Sequence, residues 1–419
     1  MGPEPIHNDG CPPPEGGLQT VAAALALLLA DARPVAESEC VELEGALGRV
    51  LSESQVAAVD VPPWDNSAMD GYAVRSADLQ PGGETRLAVS QRIPAGRAAA
   101  ALAPGTAARI FTGAPVPDGA DAVVIQEICV PGDGTVTVRG NAAPGANIRR
   151  AGEDIRAGSE ILVAGTQLGP QHLGLAASVG LARLPVYRRL RVAIFSTGDE
   201  LVRPGVPLGP GQIYNSNHYT LTGLLRGLGC ETADLGVVPD RLDATCVALE
   251  RAAAHADLIL TSGGVSVGEE DHLKPAVERL GRLELWRIAV RPGKPLAFGQ
   301  VGGTPIIGMP GNPVSLFVTF CLFARPFILR AQGRTDAGLI PIPAPADFDW
   351  PCPDRRREYA RARLVRDAAG GVRVQLHPSR SSGVLSSVTW ANGLAVIPEG
   401  RALKRGDPVD FLAFPELLS

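Results

Sequence analysis

At 419 residues the chain exceeds one ordinary hydrophobic core, so about two to four domains are expected. Its composition, 45% hydrophobic and 20% charged, is that of a folded soluble protein, and 39 basic against 44 acidic residues give a net charge of -5, with no basic field for nucleic acid and no polyelectrolyte tail. The seven cysteines are scattered without a C-x-x-C pair and the histidines lack close metal-ligand spacing, which argues against a disulfide framework or zinc site and fits a reducing, cytoplasmic compartment.

Residues 1–17 are rich in Pro and Gly and are expected to form a disordered tail. Leu18 to Asp31 reads as a helix. Its apolar stretch, Val21 to Ala30, has the texture of a signal-peptide core, yet Glu4, Asp9 and Glu15 precede it without any Lys or Arg. The stretch is also too short to span a bilayer, so a packed helix and no membrane partner are expected. Glu42 to Leu51 has apolar residues at helical spacing and reads as a second helix. Across 58–149 the texture changes to strand-like pieces such as TRLAVSQRI, AARIF and DAVVIQEICV between Gly/Pro turns, with a hairpin where PGDG meets TVTVRG. Glu160 to Leu184 is mixed and partly helical. The layout is a discontinuous N-terminal helical domain, 18–57 with 150–187, carrying an inserted β domain, 58–149.

From 188 to 335 strands and helices alternate. Arg191 to Phe195 is a buried strand, Asn217 to Leu228 a helix stopped by Gly229, Glu231 to Val238 a strand, and Ala244 to His255 a helix. Asp257 to Thr261 is a strand and Leu273 to Leu280 a helix. Trp286 to Val290, Leu296 to Phe298 and Pro305 to Ile307 are strand pieces, and Pro313 to Arg330 is a long closing helix. This pattern predicts an open, mostly parallel α/β sheet with helices on both faces. Beyond the Pro-rich linker Ile340 to Ala346, residues 336–419 hold short strands and turns, read as a small β-barrel or sandwich.

In an open α/β sheet, ligands bind outside the carboxyl ends of the strands. Three such ends are distinctive: Ser196-Thr197-Gly198-Asp199-Glu200 after RVAIF, Thr261 to Asp271 (TSGGVSVGEED) after DLIL, and Gly308 to Ser315 (GMPGNPVS) at the last helix. Ser262-Gly263-Gly264 lacks large side chains, so successive N–H groups can converge on an anion. Pro313 suits a first helical turn, where the helix carries positive potential. Thr197, Ser262, Ser266 and Ser315 add hydroxyls, while Arg287, Arg291 and Lys294 add charge for a phosphate or oxyanion. Asp199, Glu200, Asp240, Glu269, Glu270 and Asp271 are oxygen donors of the kind that hold Mg2+ beside phosphates.

Each feature also has a plainer reading. Gly-Gly after a strand is often a turn, Asp199-Glu200 or Asp271 can cap a helix, and Arg287 and Arg291, alternating along one strand, suit a solvated edge. Co-location of the three loops at one sheet edge favours a phosphate and metal site. With no G-x-x-x-x-G-K-[ST] and no G-x-G-x-x-G after a strand, the residues reach a phosphate ester plus a divalent metal and no further.

The loops continue a longer series: DNSAMDGYAVR (65–75), IFTGAPVP (110–117), AGEDI (151–155), STGDEL (196–201), TSGGVSVGEEDH (261–272), RPGKPLAFG (291–299) and GMPGNPVS (308–315). In this order they resemble the MoeA family, the molybdopterin molybdenumtransferases, whose eukaryotic counterpart is the E domain of gephyrin. The resemblance runs from about Leu18 to the C-terminal domain, where it weakens. It implies four domains, with a MoaB/Mog-like pterin domain and a C-terminal β-barrel, and an elongated homodimer. The site would lie between one subunit's α/β domain and the other's N-terminal domains, with Asp70, Thr112 and Asp154 facing the partner's Glu200, Asp240 and Asp271.

The implied reaction takes adenylyl-molybdopterin, molybdate and Mg2+, and gives the molybdenum cofactor and AMP. Glu200, Asp240 and Asp271 would hold the metal or position water. Ser262, Gly263 and Gly264, with Thr197, Gly198, Ser266 and Ser315, would hold the pterin phosphate. Arg287, Arg291 and Lys294 would hold molybdate or phosphate, Pro295, Pro310 and Pro313 would shape the loops, and Arg361 and Ser382 would complete a molybdate site. Lysine is common in the family where this chain has Arg287 and Arg291; a planar fork is not an ammonium, which leaves tungstate open. The implied partners are a molybdopterin adenylyltransferase and molybdoenzyme chaperones. Two other readings stand beside this one: a molybdopterin adenylyltransferase, which shares the α/β domain, and a non-catalytic pterin carrier or scaffold.

Overall fold

The structure, a computed structural model, describes residues 18–265, 272–293, 295–367 and 370–418; the expected tail, 1–17, lies outside them. Helix α1 (Val21–Asp31) is capped by Thr20, whose hydroxyl accepts from the Ala23 N–H. Its buried Val21, Ala24 and Leu28 pack into the core of the α/β domain rather than into the N-terminal unit. The second predicted helix shrinks to Leu43–Ala46, because Gly45 weakens it and Gly48 turns the chain at φ +73°. Just before it, Ser38–Glu42 pairs antiparallel with Arg183–Tyr187, and Gln55–Val56 pairs with Glu160–Leu162. These pairings stitch the two halves of the N-terminal unit together, with helix α2 (Pro170–Ser178) beside them.

Between the halves lie strands β1 (Gly71–Val74), β2 (Glu84–Ile93), β3 (Thr106–Ile110), β4 (Ala122–Ile125), β5 (Cys129–Pro131) and β6 (Thr135–Arg139), in the order β4-β1-β3-β2-β6-β5. The hairpin read from PGDG is the antiparallel β5–β6 pair.

The α/β domain follows as β7 (Arg191–Thr197), α3 (Ser216–Gly227), β8 (Glu231–Val238), α4 (Leu242–His255), β9 (Leu258–Ser262), α5 (Leu273–Leu280), β10 (Gly281–Arg287), β11 (Val290–Arg291), β12 (Pro295–Val301), β13 (Thr304–Met309) and α6 (Pro313–Ala331). The sheet order is β8-β7-β9-β13-β12-β10; the first four strands are parallel, β12 runs antiparallel to both its neighbours, and β10 so shares the direction of the first four. Both faces are covered, by α1, α3 and α6 on one side and α4 and α5 on the other, so β7 is apolar throughout its middle. Although α6 is long and apolar enough to cross a membrane, it is buried in this core. Its middle, Phe320–Ala324, loosens into a π-turn ahead of Pro326, which has no N–H to continue the ladder.

The expected strand Trp286 to Val290 is two strands. Gln19 accepts from the Ala289 N–H and donates to the Arg287 carbonyl, which takes the chain out of the main sheet after Arg287. β11 then joins the C-terminal sheet, made of β14 (Ile342–Pro345), β15 (Arg357–Arg366), β16 (Val372–Leu376), β17 (Gly393–Ile397) and β18 (Pro408–Ala413). β16 and β17 flank β15, β18 follows β17, β14 follows β18, and an Ala346–Val374 bridge returns to β16, so the sheet closes into a barrel. Ala346, Ala362, Val374, Leu403 and Phe411 fill it. β11 runs parallel to β15, with Arg291 opposite Glu358.

Candidate functional site

The carboxyl ends of β7, β9 and β13 do lie side by side, and a residue outside the motifs ties the last two together. Asn217, in the first turn of α3, is 8% exposed and donates through Nδ2 to Ser262 Oγ (2.9 Å) and to the Gly311 carbonyl (2.7 Å). Among the described residues its Oδ1 is buried without a partner, an acceptor open to a ligand N–H. The signal for it was slight: in Asn215-Ser216-Asn217 the first Asn is the helix cap, accepting from the His218 N–H, and the second resembles it.

Gly263 sits at φ +88°, and a Cβ there would lie 3.0 Å from the Thr197 carbonyl oxygen, so only glycine brings the β9 end this close to the β7 end. Its N–H donates to the Met309 carbonyl at 3.0 Å. This corrects the expectation that successive N–H groups of the Ser-Gly-Gly turn all face an anion. Ser262 Oγ faces Asn217, and of the two glycines Gly264 keeps its N–H unbonded among the described residues. Ser315 is buried in the first turn of α6, next to Pro310 and Pro313; the Val314 N–H is taken by the Ser382 carbonyl at 3.0 Å.

The acidic side of the site is built from the β7 and β8 ends. Gly198 lets the Glu200 carboxylate fold over it, with a Cβ there falling 2.5 Å from Glu200 Oε2. Asp199 Oδ1 accepts from the Asp240 N–H at 3.3 Å, which joins the two loops. Glu200 and Asp240 thus share one edge. Asp271, Ser266 and Lys294 lie outside the described residues. No group of three His, Cys, Asp or Glu side chains is placed to hold a metal among the described residues. Mg2+ ordinarily takes one or two carboxylates and fills its shell with phosphate oxygens and water, and Glu200 and Asp240 are oxygen donors of that kind on this edge.

The three cationic residues divide. Arg287 ends β10 and its guanidinium makes no hydrogen bond or ion pair among the described residues. Arg291 does not share a face with it; it sits on β11 and reaches Asp354 (3.1 Å) and Glu358 (3.5 Å) of the C-terminal domain. Pro295 opens β12 just beyond. Arg361 is 2% exposed and holds Ser387 Oγ and the carbonyls of Ser379 and Ser381, so it shapes the loop that sets Ser382 on α6 instead of facing an oxyanion itself.

The N-terminal motifs form a second corner. Asp70 Oδ1 accepts from the Thr112 N–H (2.8 Å) and hydroxyl (3.0 Å); these bonds, the N–H foremost, hold its carboxyl below the usual range. Asp65 accepts from the Ala151 N–H (2.9 Å) and pairs with Arg150 (2.5 Å), which brings the Asp154 loop alongside. Asp154 is exposed, with its N–H on the Val61 carbonyl. Among the described residues no hydrogen bond or ion pair joins this corner to the α/β loops of the same chain.

Residues 19–180 match the MoeA N-terminal region (domains I and II), 193–330 a probable molybdopterin binding domain, and 343–414 the MoeA C-terminal region (domain IV). The chain belongs to the MoeA family. It is 40% identical to the molybdopterin molybdenumtransferase of Haemophilus influenzae over 91% of this chain and 95% of that one. It is 42% identical to molybdopterin molybdenumtransferase 2 of Mycobacterium tuberculosis, over 86% and 90%. The MoeA crystal structure from Pyrococcus horikoshii OT3 superimposes with a TM-score of 0.82 at 31% identity, over 94% of this chain and 100% of that one. The MoeA-family chain is an enzyme of the transferase class, in molybdenum cofactor biosynthesis.

Proposed function

We propose that this enzyme inserts molybdate into adenylyl-molybdopterin and cleaves the pyrophosphate linkage, giving the molybdenum cofactor and AMP. The observation that carries the proposal is Asn217 joining the β9 and β13 loops at the sheet edge they share with β7, with a buried acceptor unpartnered among the described residues and carboxylates on the neighbouring β7 and β8 ends. Asn217 Oδ1 would take an N–H of the pterin. Ser262, Gly264, Ser315 and Thr197 would hold its phosphate, with the positive end of α6 behind them. Glu200 and Asp240 would hold Mg2+, with Asp271 as a third candidate; bound there, the ion would neutralise charge on the two phosphates. Arg287 would face the oxyanion.

Asp70, kept ionised by Thr112, would come from the second subunit of a homodimer, with Asp154 nearby. A cytoplasmic enzyme that receives its substrate from a molybdopterin adenylyltransferase and delivers to molybdoenzyme chaperones fits this chemistry.

The test is AMP release from adenylyl-molybdopterin by purified protein with Mg2+, with and without molybdate. Release that depends on molybdate supports the proposal. Tight pterin binding without release, where a known family enzyme turns over, supports a carrier instead.

A further inference from the structure

One end of the β-domain sheet gathers, beside Asp70, cations that the site described above does not use. β2 and β3 run parallel and finish together, Ile93 beside Ile110, while β1 runs the other way and starts there, Gly71 beside Ile110. Asp70, Thr112, Arg109 and Arg92 therefore come to one rim. Direct cross-strand partners share a face of the sheet, so Tyr72, Arg109 and Arg92 form a row across β1, β3 and β2. Phe111, two places beyond Arg109, receives both guanidiniums: Arg109 lies 4.6 Å and Arg92 4.5 Å from its ring centroid. Arg109 also lies over Tyr72, at 5.2 Å.

The two arginines differ in what is left to them. Arg109 is half-buried and is spent on the corner itself, donating to the Gly71 carbonyl (2.9 Å) and to Gln126 Oε1 (2.7 Å). Arg92 is exposed and makes no hydrogen bond or ion pair among the described residues. Asp70, on whose charge Arg109 acts, is itself engaged by Thr112. Like charges opposite one another on neighbouring strands repel, and an anion that meets them removes the repulsion. Stacking on Phe111 holds the plane of the Arg92 fork and leaves its N–H donors open, a geometry that suits phosphate oxygens.

We infer that Arg92 is a phosphate-binding residue of the β domain, set in place by Phe111 and Arg109, and that its ligand is the phosphate of the adenylyl half. The inference rests on the proposed function, in which the Asp70 corner meets the α/β loops of a second subunit. There the pterin-side phosphate has Ser262, Gly264 and the positive end of α6, whereas the adenylyl-side phosphate has no protein cation assigned to it. After cleavage that phosphate leaves on AMP as a dianion, so Arg92 holds product as well as substrate. An arginine that only shields the Phe111 ring would be indifferent to nucleotide, and binding separates the two roles.

The experiment titrates AMP, adenosine and inorganic phosphate calorimetrically into full-length wild type and Arg92→Gln with Mg2+ present. Arg92→Gln is expected to weaken AMP about tenfold, the size of one lost charge-assisted hydrogen bond, and to leave adenosine within about twofold. Arg92→Lys, which keeps the charge without the fork, should recover part of the loss. Added salt should weaken AMP more in wild type than in Arg92→Gln, since the lost contact is ionic. In turnover, the inhibition constant of product AMP should rise by the same factor, while KM for molybdate moves less than about twofold. Equal AMP binding by the two proteins, no AMP binding by wild type, or an Arg92→Gln protein that loses AMP and adenosine alike with a lowered Tm, overturns the inference. Inorganic phosphate that binds as tightly as AMP and is lost with it makes the site one for a free anion and overturns the assignment to the adenylyl half. Wild type that binds AMP through Arg92 but releases none from adenylyl-molybdopterin overturns the functional proposal and not this site.

Discussion

Asn217 carries more of the site than any motif residue, and its substitution is the sharpest residue-scale test. Asn217→Ala leaves the Gly311 carbonyl and Ser262 hydroxyl without their donor, so a stability loss of about 1–3 kcal/mol is expected in urea unfolding, with a raised KM for the pterin. Gly263→Ala would put a methyl against the Thr197 carbonyl at a backbone angle alanine resists; AMP release should fall while the far-UV spectrum stays native. That the Gly-rich and acidic loops gather at one sheet edge was legible because parallel strands of an open sheet end on the same side. Asn217 was not, because one Asn inside a first turn looks like a cap. Nor was the engagement of the Gly263 N–H, which depends on a carbonyl from β13, far away in sequence.

At the scale of elements, local pattern found most helices but not what they pack against. The α1 helix was legible as an apolar Ala/Leu run; that it belongs to the α/β core was not, since burial partners are set by tertiary contact. Leu28→Ala should therefore cost about 2–5 kcal/mol, and the loss should appear in the unfolding of the α/β domain. Where the N-terminal unit meets that domain, Asp257 binds Arg188 through both oxygens (2.7 and 2.8 Å) and the Arg191 N–H (2.8 Å). Burial raises the Asp257 pKa, but these partners outweigh it and the net shift is downward. A depressed carboxylate stabilises above its unfolded pKa and loses that contribution as pH falls through the folded value. Stability should decline below about pH 4 in wild type, and less steeply in Asp257→Asn, as thermal melts across pH 2–7 would read. The split of Trp286 to Val290 was illegible because Gln19, from the other end of the chain, makes it.

For the whole molecule, the order of domains followed from texture: Gly/Pro-punctuated strands, then regular alternation, then short strands again. Assembly did not, and the Asp70 corner has no bonded partner in its own α/β domain among the described residues. If the site is shared between two subunits, Asp70→Ala and Glu200→Ala proteins, each inactive alone, should regain about a quarter of wild-type AMP release when refolded together, because half the dimers then hold one intact site of two. No recovery at all would place both residues in one chain's site. β15 is covered on one edge at its first residues by β11, which lies before the linker, so a fragment cut at Ile340 would carry a barrel with that edge open and the Arg357 N–H without its Ala289 acceptor. Such a piece, cloned by its apparent sequence boundary, should self-associate along that open rim, and a soluble excised C-terminal domain would have to carry Val290 and Arg291 with it.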